Sequence, residues 1–122
     1  MKIWMPCSPQ QLVAFAQSGQ LELPTGFAIT PEWAAVVDDD DEEFLEDAML
    51  DQAGTDATLV VVAELPGTIQ NPETGEVVVE AAATNRNLRA FFAKSDAADE
   101  DFSWFGPTET ANLLDFLGFS TN

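Results

Sequence analysis

Histidine and tyrosine are absent from this chain of 122 residues, and only four of its side chains are lysine or arginine. Without histidine there is no Ser-His-Asp set and no imidazole ligand for zinc. The single cysteine excludes both an internal disulfide and a cysteine cluster for zinc. No Gly-rich phosphate loop occurs. We therefore identify no catalytic residue, expect no metal or cofactor, and favour a non-enzymatic role.

Long apolar runs are also missing. None approaches the roughly 20 residues that a membrane helix needs. The opening segment MKIWMPCSPQ lacks the apolar core of a signal peptide. A single cysteine is typical of a reducing compartment. We therefore expect a cytoplasmic protein with no membrane contact, and the 46% of hydrophobic residues predicts one packed domain over residues 1–122.

What the chain has in excess is acid. It carries 22 Asp and Glu against 4 Lys and Arg, a formal net charge of -18. The electrostatic field of this charge repels phosphates and anionic membranes and attracts basic surfaces. Nucleic-acid binding depends on Lys and Arg that neutralise phosphates, so we expect no direct contact with nucleic acid. The partner that this charge favours is a basic protein surface.

Turn, cap and hydrophobic signals predict nine elements in the order β-α-β-α-α-β-β-β-α. A capping-box pattern begins the first helix after Ser8, and Gly19 ends it. The other helices are predicted at 31–37, 39–53 and 107–117, and the strands at 2–5, 26–29, 58–65, 76–83 and 88–95. This order gives a single α+β domain in which helices pack on a mixed β-sheet.

Two of these elements carry specific burial predictions. The run TLVVVAEL at 58–65 is rich in β-branched residues, which is typical of a strand buried on both faces. We expect its Leu59, Val60, Val61 and Val62 to be buried, and the strand at 76–83 to pair with it in the antiparallel sense. The buried face of the helix at 39–53 is predicted to consist of Phe44, Leu45, Ala48, Met49 and Ala53.

Several segments also carry a family resemblance: MKIWMP, LVAFAQSG, FAITPEW, EEFLEDAMLDQA and LVVVAELP. Together they resemble an uncharacterised family of short acidic actinobacterial proteins, and the similarity extends to about LRAFFAKSDAAD. The resemblance implies a fold shared among cytosolic bacterial proteins and carries over no site residue. The tail from Phe102 onward does not match the pattern of that family.

The run VDDDDEEFLED contains eight acids among the ten residues from Asp38 to Asp47. Carboxylates in the first turn of a helix complement its dipole, and we expect Asp38 or Asp39 to cap it. Dipole complementarity explains only a few acids, because like charges three or four residues apart repel. The excess is either a solvated face, including adaptation to salt, or a docking surface for a basic partner.

A calcium loop does not fit the same run. An EF-hand needs glycine at its sixth position and glutamate at its twelfth. Counted from Asp38, these positions hold Glu43 and Met49. We therefore predict no dedicated metal site in the run.

The predicted docking surface combines this run with the later segment DEDFSWF. There, aromatic residues follow acids, as in an interface that has aromatic anchors and a charged rim. The alternative is that these aromatics pack beneath the following helix. The candidate residues are Asp40, Asp41, Glu43, Glu46, Asp47, Asp99, Glu100, Asp101, Phe102 and Trp104.

Three of the four basic residues, Arg86, Arg89 and Lys94, lie within nine positions. In a chain this acidic we expect them to pair with nearby acids, and the alternative is that they form an anion pocket. Cys7 precedes a helix N-terminus, where a thiolate is stabilised. Without a histidine base, and with Val13 where a phosphatase pattern needs arginine, we expect a buried, inert thiol.

These features lead to one main hypothesis and one alternative. The main hypothesis is a small acidic interaction protein that docks on a basic partner, and mimicry of nucleic acid is one form of it. The alternative is an enzyme or ligand-binding protein with a pocket near Arg86, Arg89 and Lys94. The two differ in where the functional residues lie: the acidic run for docking, and the basic cluster for a small ligand.

Overall fold

Seven strands and four helices lie in the two stretches that the computed structural model describes, residues 1–94 and 101–118. The strands are β1 (Lys2–Pro6), β2 (Thr25–Phe27), β3 (Leu59–Glu64), β4 (Gly67–Asn71), β5 (Glu76–Val79), β6 (Leu88–Ala93) and β7 (Ser103–Phe105). The helices are α1 (Pro9–Ser18), α2 (Pro31–Val37), α3 (Glu42–Ala53) and α4 (Thr110–Phe116). The α+β class is confirmed, and the nine predicted elements occur in their predicted order, with β4 and β7 in addition.

One sheet contains all seven strands, in the order β4-β5-β2-β1-β3-β6-β7. Every neighbouring pair is antiparallel, so the prediction of a mixed sheet was wrong. A β-α-β order usually indicates parallel strands. Here the segment between α1 and β2 is bridged from Leu21 to Ala83 in the antiparallel sense, in line with the pairing of β2 and β5, so the chain already runs in the direction of β2 at Leu21.

Strand β3 is an interior strand with β1 on one side and β6 on the other. Its first four residues, Leu59 to Val62, are between 0% and 2% exposed, which confirms the predicted burial on both faces. Because β1 and β6 occupy both sides of β3, β5 cannot pair with it. Strand β5 lies instead between β2 and β4, and it ends at Val79 rather than at residue 83.

The two faces of the sheet carry separate cores. Helices α1 and α4 cover one face, where Leu12 of α1 and Leu113 of α4 join residues such as Phe91. Helices α2 and α3 cover the other, where Met49 of α3 packs with Trp4 and with Val62. Alternation along the strands explains the division, since successive side chains point to opposite faces.

The helix ends follow the sequence signals at α1 and α2 but not at α4. The Ser8 Oγ accepts from the Gln11 N–H (3.1 Å) and the Gln11 side chain accepts from the Ser8 N–H (2.9 Å), so the predicted capping box is confirmed. Helix α2 has its predicted bounds. Helix α4 begins at Thr110, three residues later than predicted, after a turn in which the Glu109 carboxylate accepts from the Gly106 N–H (2.9 Å).

Candidate functional site: an acidic face and a cleft beside helix α3

The first acids of the run shape the junction between α2 and α3. Asp38 ends α2 in the left-handed conformation, with φ of 62°. The Asp39 carboxylate accepts from the Asp41 N–H (2.8 Å), and the Asp41 carboxylate accepts from the Glu43 N–H (3.1 Å). Asp41, and not Asp38 or Asp39, is therefore the N-cap, and α3 begins at Glu42 rather than at residue 39. Aspartate favours such local turns because its side chain competes for backbone N–H groups.

The remaining acids form an exposed surface on the junction and the first half of α3. We define the acidic face as Asp40, Asp41, Glu42, Glu43 and Asp47, all of which are exposed. Within the described ranges, the only ion pairs are Met1 N-terminus–Glu64 (3.4 Å) and Lys2–Glu46 (2.8 Å). No residue of the acidic face is neutralised by either of them.

Besides its packing on the sheet, α3 is held by hydrogen bonds of one side chain near its end. The Trp33 indole N–H donates to the Gln52 side-chain oxygen (2.8 Å), and the Gln52 amide donates to the Thr74 carbonyl (2.7 Å). These bonds connect α3 to α2 and to the turn between β4 and β5. The carboxylates of the acidic face that belong to α3, those of Glu42, Glu43 and Asp47, therefore stand on a helix with a fixed position.

Two apolar side chains lie exposed beside the acids: Phe44 is 50% exposed and Val36 is 67% exposed. The prediction that Phe44 belongs to the buried face was wrong. Leu45, Met49 and Ala53 recur every four residues and fill the contact with the sheet, and Phe44 is rotated about 100° away from Leu45 around the helix. Large apolar side chains within an acidic rim are typical of interface anatomy.

The residues of the segment DEDFSWF lie in different environments. Asp99 and Glu100 fall outside the described residues, and Asp101 is exposed. Phe102 is half-buried and packs against Gly54 at the end of α3, so it is not an exposed anchor. Trp104 is 60% exposed. In the same strand Phe105 packs on Phe116 of α4, with ring centroids 5.2 Å apart, as the packing alternative predicted for these aromatics.

Trp104 forms one wall of a cleft whose opposite wall is α3. The two walls, β7 and α3, are far apart in the sequence. The volume of the cleft is about 270 Å³. Val62 and Ala90 lie in its floor, and both are buried. We define the α3 cleft by its lining residues: Lys2, Trp4, Glu46, Asp47, Leu50, Val62, Arg89, Ala90, Phe92 and Trp104.

Arg89 enters this cleft from an irregularity in β6. Val62 pairs with Ala90 and Ala63 pairs with Leu88, so Arg89 is the extra residue of a β-bulge. Its Nη1 donates to the carbonyls of Arg86 (3.2 Å), Asn87 (3.3 Å) and Leu88 (3.2 Å). The bulge places Arg89 beside Ala90 on the α3 side of the sheet, and the three carbonyls hold the guanidinium there.

The three basic residues of the predicted anion pocket are not brought together. Arg89 lines the α3 cleft, whereas Arg86 and Lys94 do not. Arg86 is exposed in the turn before β6, and the Lys94 ammonium lies 4.4 Å from the centre of the Phe102 ring. No described acid forms an ion pair with any of the three. No local pattern indicates the residues that do surround Arg89, since Lys2, Trp4 and Trp104 come from distant strands.

Cys7 is 5% exposed, which confirms the prediction of a buried thiol. Its S–H donates to the Ser8 carbonyl at 3.3 Å. Burial raises the pKa of the thiol from 9.0 to about 12, because the thiolate would lose its hydration. At neutral pH the residue is therefore a protonated, inert member of the core.

The acids of the described residues are not arranged as ligands of one metal ion. In the part of the chain that the structure describes, no three His, Cys, Asp or Glu side chains are placed to hold an ion together. Of the helices in that part, none combines the length and the apolar character that a membrane crossing requires.

Comparison with known proteins places the chain in a family. No curated protein and no solved structure matches it significantly. A family model does match, over residues 1–86, which is more than half of the chain. The match confirms an uncharacterised family, while an actinobacterial origin stays a prediction. It ends before β6, so Arg89 and Trp104 lie outside it. The chain belongs to a family of unknown function (DUF6912).

Proposed function

We propose that this protein is a non-enzymatic interaction protein that docks on a basic partner through the acidic face. The observation that carries the proposal is the exposure of five carboxylates with no described ion-pair partner, together with that of Phe44 and Val36, which are near them in the sequence. We place the protein in the cytoplasm, where a single unpaired cysteine is usual.

Both parts of this surface have a physical role in docking. Carboxylates on a fixed helix create a directed field, which steers a basic partner and raises the association rate. Phe44 and Val36 supply apolar area that the partner buries, which slows dissociation. A solvated face that serves only solubility gains nothing from exposed apolar side chains next to its acids in the sequence.

The test compares two variants that have the same net charge. In D40N/E43Q/D47N the acidic face loses three carboxylates, while Asp41 is kept as the helix cap and Glu46 as the partner of Lys2. In the control E22Q/E73Q/E76Q, three exposed acids are replaced elsewhere on the surface. Any effect of total charge is therefore shared by both variants.

A basic partner is first captured from lysate at low salt, identified and purified, and its association rate is then measured across a salt series. We expect the acidic-face variant to bind more slowly than the control at low salt, and the difference to shrink as salt screens the charges. Equal rates for the two variants at low salt would contradict the proposal. If the partner binds DNA, competition by duplex DNA for the same surface tests the mimicry form of the proposal.

A further inference from the structure

The α3 cleft collects residue types that are scarce in this chain. Two of the four basic residues, Lys2 and Arg89, line it, and so do two of the three tryptophans, Trp4 and Trp104. Its two acids are Glu46 and Asp47, so its lining is electrically balanced in a molecule of net charge -18. A balanced, aromatic cleft is not what a uniformly acidic, solvated surface produces.

The floor and one wall of the cleft are apolar. Trp4 is 3% exposed and Val62 is 2% exposed, and the half-buried Phe92 continues the same floor. Trp104 pairs with Phe92 across β6 and β7, so both rings lie on the same side of the sheet. This arrangement gives a flat or branched apolar group a surface on which to pack.

Arg89 is exposed and supplies a cationic group at the edge of this floor. Its Nη1 is held by three main-chain carbonyls, and within the described stretches its Nε and Nη2 have no hydrogen-bond partner. A guanidinium presents its donors in a planar fork, which matches the two oxygens of a carboxylate. The Lys2–Glu46 pair (2.8 Å) closes another part of the rim, with the ammonium 5.2 Å from the centre of the Trp4 ring.

Asp47 supplies the opposite charge from the α3 wall. It is exposed and takes no part in the ion pairs of the described residues. A ligand with both a carboxylate and an ammonium group would therefore find a partner for each. A purely anionic ligand would meet Arg89 but would also be repelled by the field of the whole molecule, whereas a zwitterion has no net charge to repel.

We propose that the α3 cleft binds a free α-amino acid with a large apolar side chain. The carboxylate pairs with Arg89, the ammonium with Asp47, and the side chain packs on Trp4, Phe92 and Trp104. A volume of about 270 Å³ lies just below the range of roughly 300 to 1,000 Å³ that is usual for drug-sized ligands, which suits a molecule of amino-acid size. The proposal does not depend on docking through the acidic face.

The first test is a ligand panel measured by calorimetry and by tryptophan fluorescence. L-Phenylalanine and L-leucine should bind saturably with a Kd of about 1 mM or tighter, and binding should change the emission of Trp104. N-Acetyl-L-phenylalanine lacks the ammonium and L-phenylalaninamide lacks the carboxylate, and each should bind roughly tenfold or more weakly. No saturable binding of either free amino acid up to about 10 mM would overturn the proposal, and so would equal binding of the blocked forms.

The second test uses matched arginine variants. R89Q should reduce the affinity for L-phenylalanine roughly tenfold or more and should leave the weak binding of L-phenylalaninamide unchanged. R86Q removes the same charge at an exposed position outside the cleft and should bind as the parent protein does. If R89Q does not fold, R89K keeps the charge without the planar fork and should show the same direction of change. Equal affinities for R86Q and for the Arg89 variant would overturn the proposal.

Discussion

Cys7 illustrates, for a single residue, a competition between two effects on one pKa. Its position before the N-terminus of α1 favours the thiolate, because the helix dipole is positive there. Burial favours the thiol, because the thiolate would lose its hydration. Burial is the stronger effect, since the pKa is raised to about 12 and the residue is 5% exposed.

The first prediction concerns the reactivity of this thiol. The native protein should react with a thiol reagent such as DTNB at pH 8 only as fast as it unfolds, because the group is buried and protonated. The reaction should become fast in denaturant. Fast labelling of the native protein would show that Cys7 is accessible and would contradict the burial that the structure assigns to it.

The raised pKa of Cys7 also makes the free energy of unfolding depend on pH. In the folded state the pKa of the thiol is about 12, whereas in the unfolded state the thiol loses its proton near its ordinary pKa of 9.0. Between these values the folded state binds more protons, so the free energy of unfolding falls as pH rises. Urea titrations between pH 8 and 11 should show this decline, and it should be smaller in C7A.

At the scale of one element, the acids at the start of α3 differ in role although they look alike in sequence. Asp38 ends α2 in the left-handed region, Asp39 holds the turn, and Asp41 caps α3. Asp40 is exposed and makes none of these side-chain bonds. Adjacent aspartates therefore provide a natural pair of variants with opposite expected effects.

The second prediction is that D41A lowers the free energy of unfolding by about 1 kcal/mol, as is typical for the loss of an N-cap. D41N should retain most of the stability, since asparagine caps equally well. D40A should leave stability unchanged or raise it slightly, because it removes repulsion without removing a cap. Urea denaturation of the three variants measures the differences, and equal stabilities for D41A and D40A would contradict the assigned cap.

Local signals in the sequence were sufficient for most elements, but not for the partners of each strand. The run at Leu59–Glu64 and the capping box at Ser8 are local patterns, and both predictions were confirmed. Strand β4 was missed because Pro66 and Pro72 bracket it and because it is an exposed edge strand with little apolar pattern. The pairing of β5 with β2 depends on β1 lying between β2 and β3, which no local pattern encodes.

The two candidate sites also differ in how far local sequence patterns could predict them. The acidic face comes from one continuous run, so the sequence could indicate it, although the exposure of Phe44 was not foreseen. The α3 cleft joins Lys2, Asp47, Arg89 and Trp104, which meet only because four strands and one helix are neighbours. The bulge that directs Arg89 into the cleft is likewise a feature of pairing and leaves no local signal.

For the whole molecule, the dominant electrostatic feature is a net charge of -18, and the two ion pairs of the described residues leave most carboxylates without a cationic partner. Such self-repulsion destabilises a compact state and is weakened by salt. This holds whether the acidity serves docking, solubility or adaptation to salt.

The third prediction is that the melting temperature rises with added NaCl. Screening lengths fall from about 30 Å at 0.01 M to about 10 Å at 0.1 M, so most of the rise should occur below a few tenths molar. A gain of about 1 kcal/mol would appear as roughly 4 °C in a domain of this size. Calorimetry across a salt series measures the effect, and a melting temperature independent of salt would contradict the self-repulsion.

The fourth prediction follows from the difference between the family match and the fold. The match ends at residue 86, but β6, β7 and α4 lie beyond it and complete the same sheet and core. A fragment of residues 1–86 would leave β3 as an open edge, because β6 is its partner on one side. It would also lose Phe91 and Leu113, both 0% exposed, from the core that α1 covers.

We therefore expect the fragment 1–86 to be unfolded or aggregated, as measured by circular dichroism and gel filtration. A matched control is co-expression with the separate fragment 87–122, which should restore a soluble complex with a cooperative thermal transition, because it returns the missing strands and α4. A cooperative transition for 1–86 alone would show that the matched region folds without β6, and that the burial of β3 between two partners is dispensable. Failure of both the fragment and the pair would instead point to chain continuity through residues 86–87 as a requirement for folding.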